Sequence, residues 1–228
     1  MSMASVIPLP EVNGLRVMIA MESERGRFNI NTLNAADKKL LGYFQEYLLN
    51  SEYNVQDITY LNDLLMDAMG GRKDLYKTDI FDQYPALYRE KIVNKKHLAQ
   101  ILDYYVASRH DNSVTLIPWD ELFRFGDNND SKIDLNYMSK ESWQMILPFM
   151  QDEQASEFSD SGEIFEKVDD ITTLDEESIK KLKDYNVSTF EPFVQVEIEM
   201  QNDHNQSSHI EFEYDLKNKK AYRFEFKL

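Results

Sequence analysis

Hard oxygen donors crowd one ten-residue stretch of the chain, "DNNDSKIDLN", Asp127 to Asn136. Asp127, Asn129 and Ser131 fall at the first three ligand spacings of a calcium-binding loop, and Asp130 and Asp134 add two more carboxylates. Carboxylate and amide oxygens at alternate positions are what a hard cation such as Ca2+ takes. The stretch departs from a complete EF-hand loop at two places: Lys132 stands where the turn glycine belongs, and Met138 where the bidentate glutamate belongs. Asp127, Asn129, Asp130 and Asp134 are therefore the candidate calcium ligands, with a plain polar turn as the competing reading. No other cofactor is implied.

Other reactive patterns lead nowhere specific. The four histidines, His97, His110, His204 and His209, show neither HxxxH nor HExxH spacing, and His204 and His209 flank a polar loop where a solvated pair is expected. Asp169-Asp170 and Glu176-Glu177 could imitate a paired-carboxylate hydrolase, but nothing in the sequence sets them in a cleft. The chain has no cysteine, which removes disulfides, zinc knuckles and thiol nucleophiles. With no nucleophile, phosphate-loop or zinc motif, the sequence reads as that of a non-enzyme.

Charge narrows the partners further. The net charge of -16 opposes approach to a phosphate backbone, and no basic face offsets it. "VDDITTLDEESIKKL" has a faint likeness to a helix-hairpin-helix module, but the glycine-bearing hairpin that would meet phosphate is missing, so nucleic acid is not expected as a partner. Gln151 to Asp184 carries 12 acidic residues against 4 lysines, half of the chain's net charge, and reads as a solvated surface or a loose linker. Aromatic clusters such as "FDQYPALY" and "WDELFRF" belong to a core or to a partner surface.

The elements that would position these residues can be read from periodicity. Leu15, Val17, Ile19 and Met21 share one side of a strand, and Phe28 and Ile30 continue the alternation as a second short strand after the turn-like "SERG". Asn31 or Asn34 then serves as an N-cap for a helix carrying Leu40, Leu41, Phe44 and Leu48. Helices are predicted at about 57–69, closed by Gly70-Gly71, and at about 95–108, with a short one in "IPWDELFRF" behind Pro118. Ser139 is a cap before Trp143, Ile146 and Leu147, and Thr173 and Glu176 have capping-box spacing before "SIKKLKDY". The carboxyl-terminal part switches to period two in three runs: Val194 to Met200, Ile210 to Leu216 and Tyr222 to Leu228.

These elements predict an α+β fold: a small antiparallel sheet from residues 15–32 and 186–228, interrupted by a mainly helical inserted domain over 33–185. Such a sheet has one apolar face that needs a cover. No stretch approaches the ~20 apolar residues that span a bilayer, and the first fourteen residues lack the basic-then-apolar layout of a signal peptide.

One pattern occurs twice: "RFNINTLN" at Arg27 to Asn34 and "KIDLNYMS" at Lys132 to Ser139, each a basic residue, an extended run ending in Asn, and the approach to a helix. Taken in order, "GRFNINTLN", "ILDYYVASRHDNS", "IPWDELF", "KIDLNYMSKESW" and "VSTFEPFVQVEIEM" resemble the general secretion pathway protein K family, the large minor pseudopilin of type II secretion systems. That family shows a strand leading to an N-[ILV]-N turn, a helical insertion, an "EL" helix, a second N-[ILV]-N-T-A element and a terminal S-x-x-F strand. The likeness covers nearly the whole chain with short pieces, and "DYYVASRHD" and "IDLNYM" depart from the family pattern, so the relation is a divergent one.

The resemblance implies a pilin-like anchor helix in the inner membrane, absent from the sequence given, which would supply the sheet's cover. It also implies a soluble part in the periplasm of a Gram-negative bacterium and a place at the pseudopilus tip, with other minor pseudopilins as partners and no covalent chemistry. Members of that family can hold calcium in the inserted domain. Two further readings fit the residues: a soluble acidic protein-interaction module without an anchor, and a periplasmic calcium-dependent binding domain.

Overall fold

A computed structural model describes residues 5–12, 14–34, 38–70, 76–126, 132–185, 187–204 and 206–227. Along the chain come β1 (Ser5–Pro8), β2 (Arg16–Glu22), β3 (Phe28–Asn29), α1 (Lys39–Asn50), α2 (Ile58–Met69), α3 (Ile80–Gln83), α4 (Lys95–Arg109) and α5 (Trp119–Leu122). They are followed by β4 (Phe123–Arg124), β5 (Ile133–Asp134), α6 (Lys140–Ile146), α7 (Asp152–Asp160), α8 (Glu176–Tyr185), β6 (Val187–Ser188), β7 (Phe193–Gln201), β8 (Ser207–Asp215) and β9 (Lys220–Lys227).

The alternating runs at the two ends of the chain build one five-stranded sheet in the order β1-β2-β7-β8-β9, with every neighbouring pair antiparallel. Its register places Ile19 opposite Ile198, and Ile198 opposite Ile210, so apolar side chains line up across strands. The edge strand β1 was not foreseen; it joins because Ile7 lies opposite Ile19. Phe28 and Ile30 do not extend this sheet as the alternation suggested. A 3-10 turn at Glu24–Gly26 carries the chain away, and Phe28–Asn29 pairs in parallel with Phe123–Arg124 instead. At this turn a Cβ on Gly26 would stand 1.6 Å from the Tyr137 carbonyl oxygen, so only glycine admits the close backbone approach.

Helices α2 and α4 fall where the apolar spacing put them. Asp57 caps α2 by accepting from the Tyr60 amide at 2.9 Å, and Leu61, Leu64, Leu65 and Ala68 form its buried face. Asn94 caps α4 by accepting from the His97 amide, and Leu98, Ile101, Leu102 and Tyr105 are buried. Ser139 caps α6 through the Ser142 amide at 3.0 Å, as expected.

Two expected caps are corrected. Asn31 lies inside a 3-10 turn over Ile30–Asn34, and α1 starts later, after Lys38, without a side-chain cap. Thr173 does not cap α8; the Asp175 carboxylate, one residue before the helix, accepts from the Ser178 amide at 2.7 Å.

One buried apolar cluster runs from Phe28 to Tyr185, with Trp143 stacked on Phe158 and Phe44 packed against the stacked pair of Trp119 and Phe123. The acidic segment from Gln151 to Asp184 is no linker: it holds α7 and α8 and sends Ala155, Phe165, Val168, Ile171 and Leu182 into this cluster. Among the described residues, no helix is long and apolar enough to cross a membrane.

Candidate assembly surface

The sheet presents two chemically distinct faces, because side chains alternate along each strand. One face carries Ile7, Val17, Ile19, Met21, Val194, Val196, Ile198, Met200, Ile210 and Phe212 in register across β1, β2, β7 and β8. Phe226 extends it onto β9 opposite Ile210, and Phe224 stacks on Phe212 with ring centroids 5.1 Å apart. None of these residues belongs to the buried cluster of the insertion. Val196 is buried, yet Phe224 is 53% exposed and Phe226 67% exposed, so among the described residues this face has no complete cover. A contiguous apolar patch of this kind marks a surface built for a partner element.

The insertion is fixed to the sheet by a buried charge joint. Arg25, in the 3-10 turn after β2, donates through Nη2 to Glu213 Oε1 on β8 at 3.1 Å, and its guanidinium lies 4.0 Å from the centre of the Phe193 ring. Arg223 on β9 donates to the second Glu213 oxygen at 3.0 Å. Sequence reading missed this joint, since its partners are 188 positions apart and no local pattern links them.

Inside the insertion, the repeated sequence pattern is a repeated structure. Asn31 accepts from the Ile92 amide at 2.7 Å and donates to the Ile92 carbonyl at 3.0 Å and the Gly126 carbonyl at 2.9 Å. Asn136 does the same to Phe165, accepting from its amide at 2.8 Å and donating to its carbonyl at 3.0 Å, with a further bond to the Thr189 carbonyl at 2.8 Å. The residue two before each Asn caps the turn: Asn29 Oδ1 accepts from the Asn31 and Gly126 amides, and Asp134 accepts from the Asn136 and Glu191 amides. A primary amide is the side chain suited to the second position, because it offers an acceptor and two donors side by side.

This geometry bears on the candidate calcium ligands. Asp127, Asn129 and Asp130 lie outside the described residues, as does Ser131. Asp134 is fully buried, with Oδ1 accepting from the Asn136 amide at 3.1 Å and Oδ2 from the Glu191 amide at 2.7 Å. Burial pushes its carboxyl above the usual range, the two amides oppose that rise, and the Glu191 charge adds to it.

The histidines are dispersed. His97 is buried beside the α4 cap, where desolvation holds its pKa down, and His110 terminates α4 in a left-handed conformation at φ 54°. His204 is exposed in the β7–β8 turn, whereas His209 is a half-buried residue of β8, so the two do not form one solvated pair. Asp169-Asp170 and Glu176-Glu177 belong to a 3-10 turn and the first turn of α8.

No family model matches the chain, and neither does any curated protein. A solved structure does: the crystal structure of the GspK-GspI-GspJ complex from the type 2 secretion system of enterotoxigenic Escherichia coli contains a chain that superposes with a TM-score of 0.60 at 11% sequence identity. The superposition covers 100% of this chain and 84% of that one. The chain thus has a GspK-like minor pseudopilin fold, α+β, with its sheet drawn from both ends of the sequence.

Proposed function

We propose that this protein is a non-catalytic minor pseudopilin of the K type, a component of a type II secretion-like pseudopilus placed at its tip with other minor pseudopilins. The observation that carries the proposal is the apolar sheet face, in register over five strands and left out of the insertion's buried core. An amphipathic or membrane-anchoring helix laid along it would remove Phe212, Phe224 and Phe226 from water at about 25 cal/mol per Å2 of apolar area. In this reading residues 15–32 and 186–228 are the pilin-like module, residues 33–185 are an inserted domain that shapes the tip, and the described residues occupy the periplasm below an inner-membrane anchor.

The reading is tested in the native host by deleting the gene and measuring type II-dependent protein export. Export is expected to fail on deletion and to return with the native gene. A Phe212→Asp version, which sets a charge in the apolar face, is expected not to restore it. Export that continues undiminished without the gene would overturn the proposal.

A further inference from the structure

The opposite, polar face of the sheet gathers a ligand set of its own. His209 and Glu211 are two apart on β8 and therefore point the same way, while Glu197 on β7 lies directly opposite Glu211 in the register. One donor atom from each of the three lies within 4.8 Å of the others, and His209 Nε2 stands 3.8 Å from Glu211 Oε2. The second Glu211 oxygen accepts from Gln195 Nε2 at 2.8 Å, an outer contact of the kind that orients a ligating carboxylate. We propose that Glu197, His209 and Glu211 form a surface site for a divalent transition-metal ion, with Zn2+ as its representative.

The donor set decides the class of ion. Calcium and magnesium take oxygen ligands, whereas one imidazole nitrogen beside two carboxylates suits zinc and its neighbours. Ligands bound at about 2.0–2.2 Å sit roughly 3–3.5 Å from one another, so small side-chain rotations close the present spacing around an ion. His209 and Glu211 are half-buried and held in β8, an interior strand of the sheet, while Glu197 is exposed and leaves one side open to water as a further ligand.

Electrostatics favours occupation. Glu225 on β9 is opposite Glu211, so Glu197, Glu211 and Glu225 form one row of carboxylates across three neighbouring strands. Like charges in direct opposition weaken a sheet, and a doubly charged ion between two of them reverses that effect. The site would tie β7 to β8 on the face turned away from the apolar surface. It stands independently of the pseudopilin reading.

Calorimetric titration of the untagged chain with ZnCl2 at neutral pH tests the proposal. One Zn2+ is expected to bind at this site, with affinity falling ~10-fold or more in His209→Ala and in Glu211→Gln, at least the loss that changing an outer-shell partner of a ligand produces. His204→Ala is expected to bind as the native chain does, and excess Ca2+ is expected not to displace the ion. His209→Gln, which preserves side-chain bulk on the strand, separates ligand loss from any folding defect seen by circular dichroism. Absence of Zn2+ uptake by the native chain, or uptake unchanged in both His209→Gln and Glu211→Gln, would overturn the assignment.

Discussion

The Asn31 side chain holds both backbone polar groups of Ile92, a residue 61 positions away, accepting from its amide at 2.7 Å and donating to its carbonyl at 3.0 Å. Asn136 clasps Phe165 in the same manner. Each clasp replaces the hydrogen bonds that a buried loop would otherwise lack, and a buried unpaired backbone group costs about 1–3 kcal/mol. Asn31→Asp sets an acceptor against the Ile92 and Gly126 carbonyls, and Asn136→Asp does so against Phe165 and Thr189. Each is expected to destabilise the fold by about 3 kcal/mol or more in urea unfolding.

The Arg25–Glu213 pair makes an asymmetric case. Both side chains are buried, and Glu213 also holds Arg223. Glu213→Ala removes the buried carboxylate that both guanidiniums share, a loss expected to cost about 3–5 kcal/mol. Arg25→Met leaves Glu213 paired with Arg223 and is expected to cost less. Thermal unfolding of the two variants side by side reads the order directly.

Two glycines are expected to respond with opposite signs. Gly42 lies on the exposed side of α1, where an added Cβ meets nothing within 4 Å, so Gly42→Ala should raise stability by about 0.5–1 kcal/mol. Gly26→Ala drives a Cβ against the Tyr137 backbone and should prevent the native turn, seen as loss of the cooperative unfolding transition.

How much of this was legible in the residues follows from range. The amphipathic strands after Phe193 and the helices around Leu61 and Ile101 declare themselves in their own spacing, and Ser139 caps where its neighbours said it would. The two Asn elements were visible as a repeat, but Asn31 was read as a helix cap and Asn136 was given no role of its own, because their partners at Ile92 and Phe165 are set by the fold. Phe28 alternates with Ile30 as a strand of the main sheet would, yet tertiary packing pairs it with Phe123. The acidic stretch after Gln151 hid its buried residues among charges. The metal-ligand set was invisible for the same reason as the Arg25 joint: register across β7 and β8 brings together residues that are separated in sequence.

Stability against pH should show a plateau with two limbs. Burial acts to raise the Asp111 pKa, but the Gln56 and Ser113 amides and the Tyr105 hydroxyl outweigh it and hold the carboxyl below its usual range. A depressed carboxyl contributes stability that is present above the unfolded value of 3.8 and lost as pH falls through the lower folded value. Burial first, and the Asp111 acceptor with it, push Tyr105 up from 10.0 to about 12, against the Asp57 amide. That contribution is present below pH 10 and lost as pH rises through about 12. Tyr105→Phe is expected to cost about 1–3 kcal/mol at neutral pH and to flatten the alkaline limb in denaturation curves recorded from pH 7 to 12.

The proposed function requires that the chain assemble with partner pseudopilins. Size-exclusion chromatography with light scattering measures this directly, on this protein mixed with the GspI-like and GspJ-like proteins of the same genome. A single complex containing all three is expected. A chain that elutes at its own mass of 26.9 kDa in the presence of both would contradict it.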